Sequence, residues 1–499
     1  MGAVQEQQTI RSDRVRSLAR FQADLKSLLP PERVLTDPAE LGAYSCDGLV
    51  SYRARPATVV LVESRDEIVH TIRLANRYGL AFVARGSGTG LSGGALPLED
   101  GILIVTSKMR RILEVDPENL CAVVEPGVIN SDLSRAVEPF GLYYAPDPSS
   151  QIVCSLGGNV AENSGGAHCL KYGFTTNHVL GVEVVLPNGE VTLLGGYASE
   201  SEGLDLRAAL VGSEGTLGIV SKIILRLSVR PEAVRTLVAD FDSVRAAGDT
   251  VSAIIAAGVV PAALEMFDTL ALVACEAATN AGYDPTAAAA LLVEVDGAIE
   301  EVEASYAIVV ELCRQGGARA LRQAHDEHER SLMWRGRKAA FAAAGRLANG
   351  YIVQDGVVPR RVLSAVLDEV AELAGRHGLR VANVFHAGDG NLHPLVLFDP
   401  ATPGDHARAE RLATEILELC VEHGGSITGE HGVGVEKACV MLSMFTESDL
   451  AVMHRLRGVF DPNDLCNPGK AYPTPRLCGE RPGVYRPTEL ERKGVIERW

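Results

Sequence analysis

The sequence predicts an α+β protein of two main units, a glycine-loop unit with short strands and an α+β unit with an antiparallel sheet. Three observations carry that class. The chain has 499 residues, 46% hydrophobic and 22% charged, enough for two to four packed domains at ~150 residues each. Up to Arg230-Pro231, short apolar runs of strand character are separated by glycine clusters. Beyond that point, strand-like runs alternate with long helical stripes.

Taken in order, residues 13–45 read as helix and turn, broken at Pro30-Pro31. Thr58–Val62 is a short strand. Ile68, Ile72, Leu74 and Ala75 mark one face of a helix, and Ala81–Ala84 follows as a strand, so the unit opens as β-α-β. Further strands are predicted at Ile102–Val105, Cys121–Val124, Val182–Leu186 and Ile219–Leu227, with Pro187-Asn188-Gly189 as a hairpin-type turn. The second unit offers strands at Leu291–Val295, Val384–Phe385 and Leu395–Phe398. Its helices show in the stripes Val362, Val366, Val370, Ala374 and Leu412, Ile416, Cys420. After Pro473 the chain is rich in Pro, Arg and Glu and has no apolar period, the pattern of a surface tail.

Composition excludes several classes. A net charge of -17 and 64 acidic against 47 basic residues argue against nucleic-acid binding. Ten cysteines without a single C-x-x-C read as reduced, mostly buried thiols, with no zinc ribbon, iron–sulfur site or disulfide frame. The first residues open no secretory apolar region, and Glu6 spoils a myristoylation motif. The longest apolar stretch, Ile254–Leu264, is too short to span a bilayer and contains Gly258 and Pro261. The expectation is a protein with no transmembrane segment, peripheral at most through a partner.

Three glycine loops follow predicted strands. Arg85-Gly86-Ser87-Gly88-Thr89-Gly90 continues to Gly93 and formally spells G-x-G-x-x-G. A Rossmann reading fails, because eight residues including Pro97 separate Gly93 from the strand at Ile102, leaving no room for a crossover helix. Such a loop still aligns backbone N–H groups into an anion nest, with Arg85 beside it. The second loop runs from Gly157, Gly158 and Asn159 through Asn163 to Gly165 and Gly166. Pro146, Asp147 and Ser150 precede it, and Tyr172 and Gly173 follow. In the third, Glu214 and Gly218 lead into the strand at Ile219. Three nests along one ligand suit a flavin dinucleotide better than a mononucleotide.

A second constellation is histidine-rich. In Phe385-His386-Ala387-Gly388-Asp389-Gly390-Asn391-Leu392-His393, Asp389-Gly390 is a two-residue turn signal that predicts His386 directly opposite His393. Two imidazoles ~5 Å apart at Cβ can chelate a divalent metal, and a carboxylate would complete a set suited to Zn or Mn. Glu430, beside His431 and among small residues, is the candidate. The same histidines could instead be hydrogen-bonded structural groups.

These motifs bring a resemblance into view. Residues 56–229 resemble the FAD-binding domain of the vanillyl-alcohol-oxidase, or p-cresol methylhydroxylase, type in the order and spacing of all three loops. From about Pro231 to Lys470 the chain resembles the C-terminal domain of FAD-linked D-2-hydroxyacid dehydrogenases, with its closest likeness to the FAD-binding D subunits of bacterial glycolate oxidases. Trp334–Phe341, the histidine hairpin, Thr428–Gly432 and Phe460-Asp461-Pro462 through Asn467-Pro468-Gly469-Lys470 carry it. The resemblance implies FAD held by the loop residues above and Asn467, dissociable because the first loop has no His or Cys. It implies His386, His393 and Glu430 as metal ligands, His431 as catalytic base and Arg337 as carboxylate anchor.

It further implies an N-terminal helical segment over 1–55, the FAD domain over 56–229 and a substrate domain over 230–420. A segment over 421–475 would pack back on the FAD domain, with a tail over 476–499. The activity implied is oxidation of a small D-2-hydroxy acid, glycolate or D-lactate, by a cytoplasmic protein. A second flavin-type subunit and an iron–sulfur subunit would take the electrons, holding the protein at the inner face of the membrane where it is held at all. Val353-Gln354-Asp355-Gly356 stands where the 2-hydroxyglutarate enzymes carry a lysine for the distal carboxylate, which favours the small acid. The rivals are a 2-hydroxyglutarate-type enzyme, a metallohydrolase beside a structural nucleotide, and a non-catalytic flavoprotein scaffold.

Overall fold

In the computed structural model, which describes residues 2–198 and 203–473, the chain opens with a helix over Gly2–Leu28. Its Phe21 and Leu25 share a core cluster with Ile68 and Ile72 of the helix Arg65–Tyr78. Ser64 caps that second helix by accepting from Glu67 N, and Gly79 ends it in the left-handed region. Strands β1 (Val34–Leu35), β2 (Thr58–Leu61), β3 (Phe82–Arg85) and β4 (Ile102–Val105) form one sheet in the order β1-β2-β4-β3. The β-α-β unit is present, with the apolar β4 inserted between its two parallel partners.

Five strands then form an antiparallel sheet: β5 (Ile112–Asp116), β6 (Cys121–Val124), β8 (Val179–Val185), β9 (Val191–Gly195) and β10 (Ile219–Arg226), in the order β5-β6-β10-β8-β9. A separate ribbon pairs β7 (Leu142–Tyr143) with β11 (Ser228–Val229). The Pro187-Asn188-Gly189 turn joins β8 to β9, with Gly189 at φ 81°. Strand β5 was not legible: its residues are exposed or half-buried and present no apolar run. A second departure concerns the loop at 157–166. Leu156–Glu162 is a helix, with Gly157 and Gly158 in its first turn and Asn163 ending it at φ 53°. Glycine is required at 157 by close packing, since a Cβ there would lie 2.5 Å from the Pro126 side chain.

The second unit is a seven-stranded antiparallel sheet: β12 (Ala233–Phe241), β13 (Ala263–Asp268), β14 (Ala289–Gly297), β15 (Ala320–Gln323), β16 (Gly350–Val353), β17 (Arg380–His386) and β18 (Pro394–Phe398). Its order is β15-β12-β14-β13-β17-β18-β16. β14 is central and buried on both faces, so its side chains alternate between two cores. Leu291, Val293 and Val295 face the helices Val244–Ala256, Ile299–Gln315, Leu363–His377 and Asp405–Glu422. Ala290 and Leu292 face Thr269–Thr279 and Glu327–Lys338. Each of these buried leucine and valine side chains contributes about 1.5–3 kcal/mol.

The chain then returns to the first unit. Phe82 N donates to Leu465 O and Asn467 N to Phe82 O, both 2.8 Å, so residues 465–467 run beside β3. The tail assigned to 476–499 lies outside the described residues. Among the described residues eight cysteines are free thiols, seven of them buried. Among the described residues no helix is long and apolar enough to cross a membrane.

Polar contacts join the two units. His168 Nδ1 lies 2.9 Å from Asp147 Oδ2, and its Nε2 lies 3.3 Å from Glu294 Oε1 on β14. The ring stacks on Trp334 at 5.3 Å. Glu294 also accepts from Arg330, Trp334 Nε1 and Thr236 Oγ1. Alongside, Lys171 Nζ and Tyr172 Oη donate to Asp296 at 2.6 and 2.7 Å. Burial opposes the His168 charge, but Asp147 and Glu294 outweigh it and raise the pKa from 6.5 to about 10. A pKa raised on folding stabilises fully below the unfolded value and is lost as pH climbs through the folded one. His168→Gln should therefore destabilise by about 1.5–3 kcal/mol, the worth of a hydrogen bond to a charged group. In thermal melts of the full-length protein, the gap between parent and variant should be full below about pH 5.5 and shrink from pH 6.5 toward pH 10. A gap independent of pH would show that the imidazole is not charged there.

Candidate active site

The histidine hairpin folds in a register different from the expected one. β17 and β18 pair Asn383 with Pro394, and His386 exchanges backbone hydrogen bonds of 3.1 and 3.2 Å with Asn391. The turn is therefore the four residues Ala387–Gly390, with Gly390 at φ 81°, and His386 does not face His393 directly. The slip is two residues, and a two-residue slip keeps every side chain on its face. His393 is thus a diagonal neighbour of His386, the two rings meeting edge to face at 5.0 Å.

The third member arrives from a loop folded around a buried carboxylate. Asp355 accepts from Thr428 Oγ1 at 2.5 Å, Gly429 N at 3.0 Å, Glu430 N at 3.2 Å and His431 N at 2.8 Å. It also accepts from Asn391 Nδ2 at 2.8 Å and pairs with Lys437 Nζ at 3.3 Å. This wrapping places Glu430 Oε1 3.3 Å from His386 Nε2 and 3.1 Å from His393 Nε2. His431 stacks flat on His393, centroids 4.9 Å apart, with its Nε2 3.8 Å from Glu430 Oε1. From the first unit, Gly165 closes the site: a Cβ there would lie 2.6 Å from Glu430 Oε2.

These atoms fit a divalent cation. His393 Nε2 is buried within reach of Glu430 yet lacks the angle for a hydrogen bond, leaving it without a partner. Nitrogens of His386 and His393 and an oxygen of Glu430 lie within 4.8 Å of one another. Burial disfavours charge on His386, but Glu265 and Glu430 raise its pKa well above the ordinary value, so the cluster calls for a positive charge. Asp355, His393 and His431 also lie within that distance, but Asp355 is already committed to its donors. Burial, with His393 and Lys437, lowers the His431 pKa to about 4 against the pull of Asp355, which keeps that ring neutral.

Arg337 lies on the buried face of the helix Glu327–Lys338, which Asp326 caps by accepting from Glu329 N. Its Nε donates to Glu265 Oε2 at 2.5 Å, and its Nη2 is buried without a partner. Glu265 pairs across β13 and β17 with His386, whose Nδ1 lies 2.7 Å from Glu265 Oε1. Sequence reasoning missed Glu265 and the hub role of Asp355. An acid inside the apolar run Leu264-Glu265-Met266 was the available signal for the first.

The glycine loops border a cavity. Of the expected cofactor residues, Arg85, Gly86, Gly157, Gly158, Glu214, Gly218 and Ile219 line it. Ser87, Gly88, Thr89 and Gly90 form the half-buried loop after β3. Asn467 Nδ2 donates to Glu214 O and Gly94 O. The others stand back from the cavity wall. Pro146 O accepts from Asn130, and Ser150 O accepts from Cys154 N. Asn159 bonds Ser164, Asn163 accepts from Thr176 N, and Gly166 and Gly173 pack on Asp147 and Asn177. Asp147 and Tyr172 are engaged at the junction between units. The lining missed from the sequence includes Glu162. Ser155 was missed too: its buried Oγ has no partner and occupies the space a Cβ on Gly86 would fill. Such a cradle of glycines fits a dinucleotide.

Comparison with known proteins agrees with this geometry. Residues 56–195 match the FAD binding domain family, and residues 230–471 match the FAD linked oxidases, C-terminal domain. The chain is 48% identical over 456 residues to the glycolate oxidase subunit GlcD of Escherichia coli K12, covering 91% of each chain. It is 40% identical over 430 residues to the GlcD subunit of Bacillus subtilis, covering 86% of this chain and 92% of that one. Its fold superposes on p-cresol methylhydroxylase with a TM-score of 0.79 at 18% identity, covering 91% and 96% of the two chains. A paired flavin unit and sheet unit, and close relatives along nine-tenths of its length, show that the chain belongs to the FAD-linked oxidase family.

Proposed function

We propose that this chain oxidises a small D-2-hydroxy acid, glycolate or D-lactate, to the 2-oxo acid. The observation that carries the reading is one buried site joining an unpartnered arginine Nη2, a His-His-Glu donor set and a neutral histidine. Arg337 Nη2 receives the substrate carboxylate and fixes C2. The hydroxyl proton passes to His431, which as a neutral imidazole can accept it. FAD, when bound through the glycine loops without a covalent link, supplies the acceptor for the hydride leaving C2. A divalent metal, Zn or Mn, held by His386, His393 and Glu430 would lower the pKa of the substrate hydroxyl.

The segment Val353–Gly356 supports the small acid over a dicarboxylate. Gln354 bonds Glu436 and Asp355 is the hub of the 428–431 loop, so this stretch supplies no cation for a distal carboxylate. The scaffold reading leaves the complete donor set unexplained, and a metallohydrolase leaves the flavin loops unexplained. Electrons then leave to partners, a second flavin-type subunit and an iron–sulfur subunit, in keeping with the name "subunit" on the relatives. A cytoplasmic place, against the membrane only through those partners, goes with this reading.

Anaerobic addition of glycolate or D-lactate should bleach the flavin absorbance; no bleaching by any acid of a 2-hydroxy acid panel would refute the activity. His393→Ala should lose its metal by elemental analysis while keeping the flavin spectrum, and full activity in a metal-free sample would end the metal assignment. His431→Ala should reduce its flavin 10²–10⁴-fold more slowly at saturating substrate, the usual worth of a general base, with FAD content unchanged. Reduction at the parent rate would place the base elsewhere.

A further inference from the structure

Glu265 is fully buried in the centre of a β-sheet, where an ionised carboxylate is expensive unless both oxygens are engaged. Both are engaged, by functional side chains. Oε2 accepts from Arg337 Nε at 2.5 Å, and Oε1 lies 2.7 Å from His386 Nδ1. The β13–β17 register sets Glu265 directly across from His386, while the helix Glu327–Lys338 brings Arg337 from the other side.

We propose that Glu265 is a positioning residue that couples the substrate anchor to the metal site. The inference rests on the function proposed above. On the histidine side, accepting the Nδ1 proton fixes the tautomer whose Nε2 lone pair faces Glu430, the arrangement a metal-ligating imidazole requires. On the arginine side, occupying Nε leaves the Nη edge as the free edge of the guanidinium, so the substrate carboxylate must approach there. Nη2, buried and unpartnered, lies on that edge. One carboxylate thus sets the direction of the anchored acid relative to the ion that meets its hydroxyl. A single change at Glu265 should therefore disturb metal binding or substrate binding, according to which contact fails, although Glu265 touches neither.

The test is Glu265→Gln in the full-length, FAD-loaded protein. An amide has one acceptor oxygen facing two donors, so one of the two contacts must fail. Where the amide nitrogen faces His386, the ring's proton shifts to Nε2 and the ligand is lost. Where it faces Arg337, the fork is released. Chelator competition should show metal Kd raised 10–100-fold, the usual effect of removing a ligand's hydrogen-bond partner, or KM for glycolate should rise on the order of tenfold. FAD content should be unchanged. A core variant of the same sheet, Val293→Ala, should lower Tm and leave both readouts at parent values. Should Glu265→Gln not fold, Glu265→Asp gives the same test, because a carboxylate one methylene shorter cannot bridge both partners. Parent values of metal Kd and KM in the folded variant overturn the inference. A parent protein that binds no metal overturns the metal assignment itself, so the two failures are distinguishable.

Discussion

The buried carboxylate of Asp355 is the constraint on which the site depends. No water reaches it, so its charge must be met by protein donors, and an unmet charge at that depth would cost several kcal/mol. The backbone meets it by turning three consecutive amides, Gly429 to His431, inward. Lys437 and Asn391 complete the shell from either side. Because amides 429–431 point in, the side chains of Glu430 and His431 are carried toward the histidine hairpin. Asn391 belongs to that hairpin, so one charge fixes both halves of the donor set. The arrangement is over-determined, as a site with fixed distances must be.

Electrostatics then sorts the four ionisable groups of the cluster. His386 sits between Glu265 and Glu430 and is driven toward the charged state against the opposing effect of burial. His431, only a few ångströms away, is driven to neutrality by burial and by neighbouring positive charge. Two imidazoles in one pocket are thereby given opposite characters, the separation that the proposed ligand and base roles require. Glu265 and Glu430 both touch His386, whereas at His431 burial, with His393 and Lys437, outweighs the pull of Asp355 and of Glu430 at 3.8 Å.

What was legible in the sequence is what local pattern controls. The strand at Thr58–Leu61, the capped helix at Arg65–Tyr78 and the stripe at Leu363–His377 follow from apolar period and caps alone. The histidine pair was found despite a wrong turn, because parity survives a two-residue slip and face membership is all a chelate needs. The glycines of 157–158 misled, since glycine signals close approach as readily as a loop, and here the neighbour is Pro126. Glu265 and Asp355 could not be assigned from the sequence. Their partners lie 72 and 76 residues away in Arg337 and His431; the apolar neighbours Leu264 and Met266 signal that Glu265 is buried, but no local pattern says which groups meet either acid.

The return of the chain to the first unit makes the two halves of the site one structure. Glu214, on the third glycine loop and lining the glycine-bordered cavity, accepts from Val433 N at 2.6 Å and Gly434 N at 2.7 Å, just beyond Glu430. Lys470 Nζ, fully buried, donates to Gly94 O and Leu96 O of the first glycine loop, and Asn467 joins that loop to Glu214. A path of hydrogen bonds therefore runs from the cavity wall through Glu214 to the 433–434 amides, and from there along three residues of backbone to the donor set. A displacement of the third glycine loop must move Val433 and Gly434, and Glu430 with them, because both bonds from Glu214 are short. Hydride transfer demands a reacting carbon held within a few tenths of an ångström of its acceptor. Linking the cavity wall to the loop that carries Glu430 and His431 through one carboxylate is a direct way for two sheets to keep such a distance.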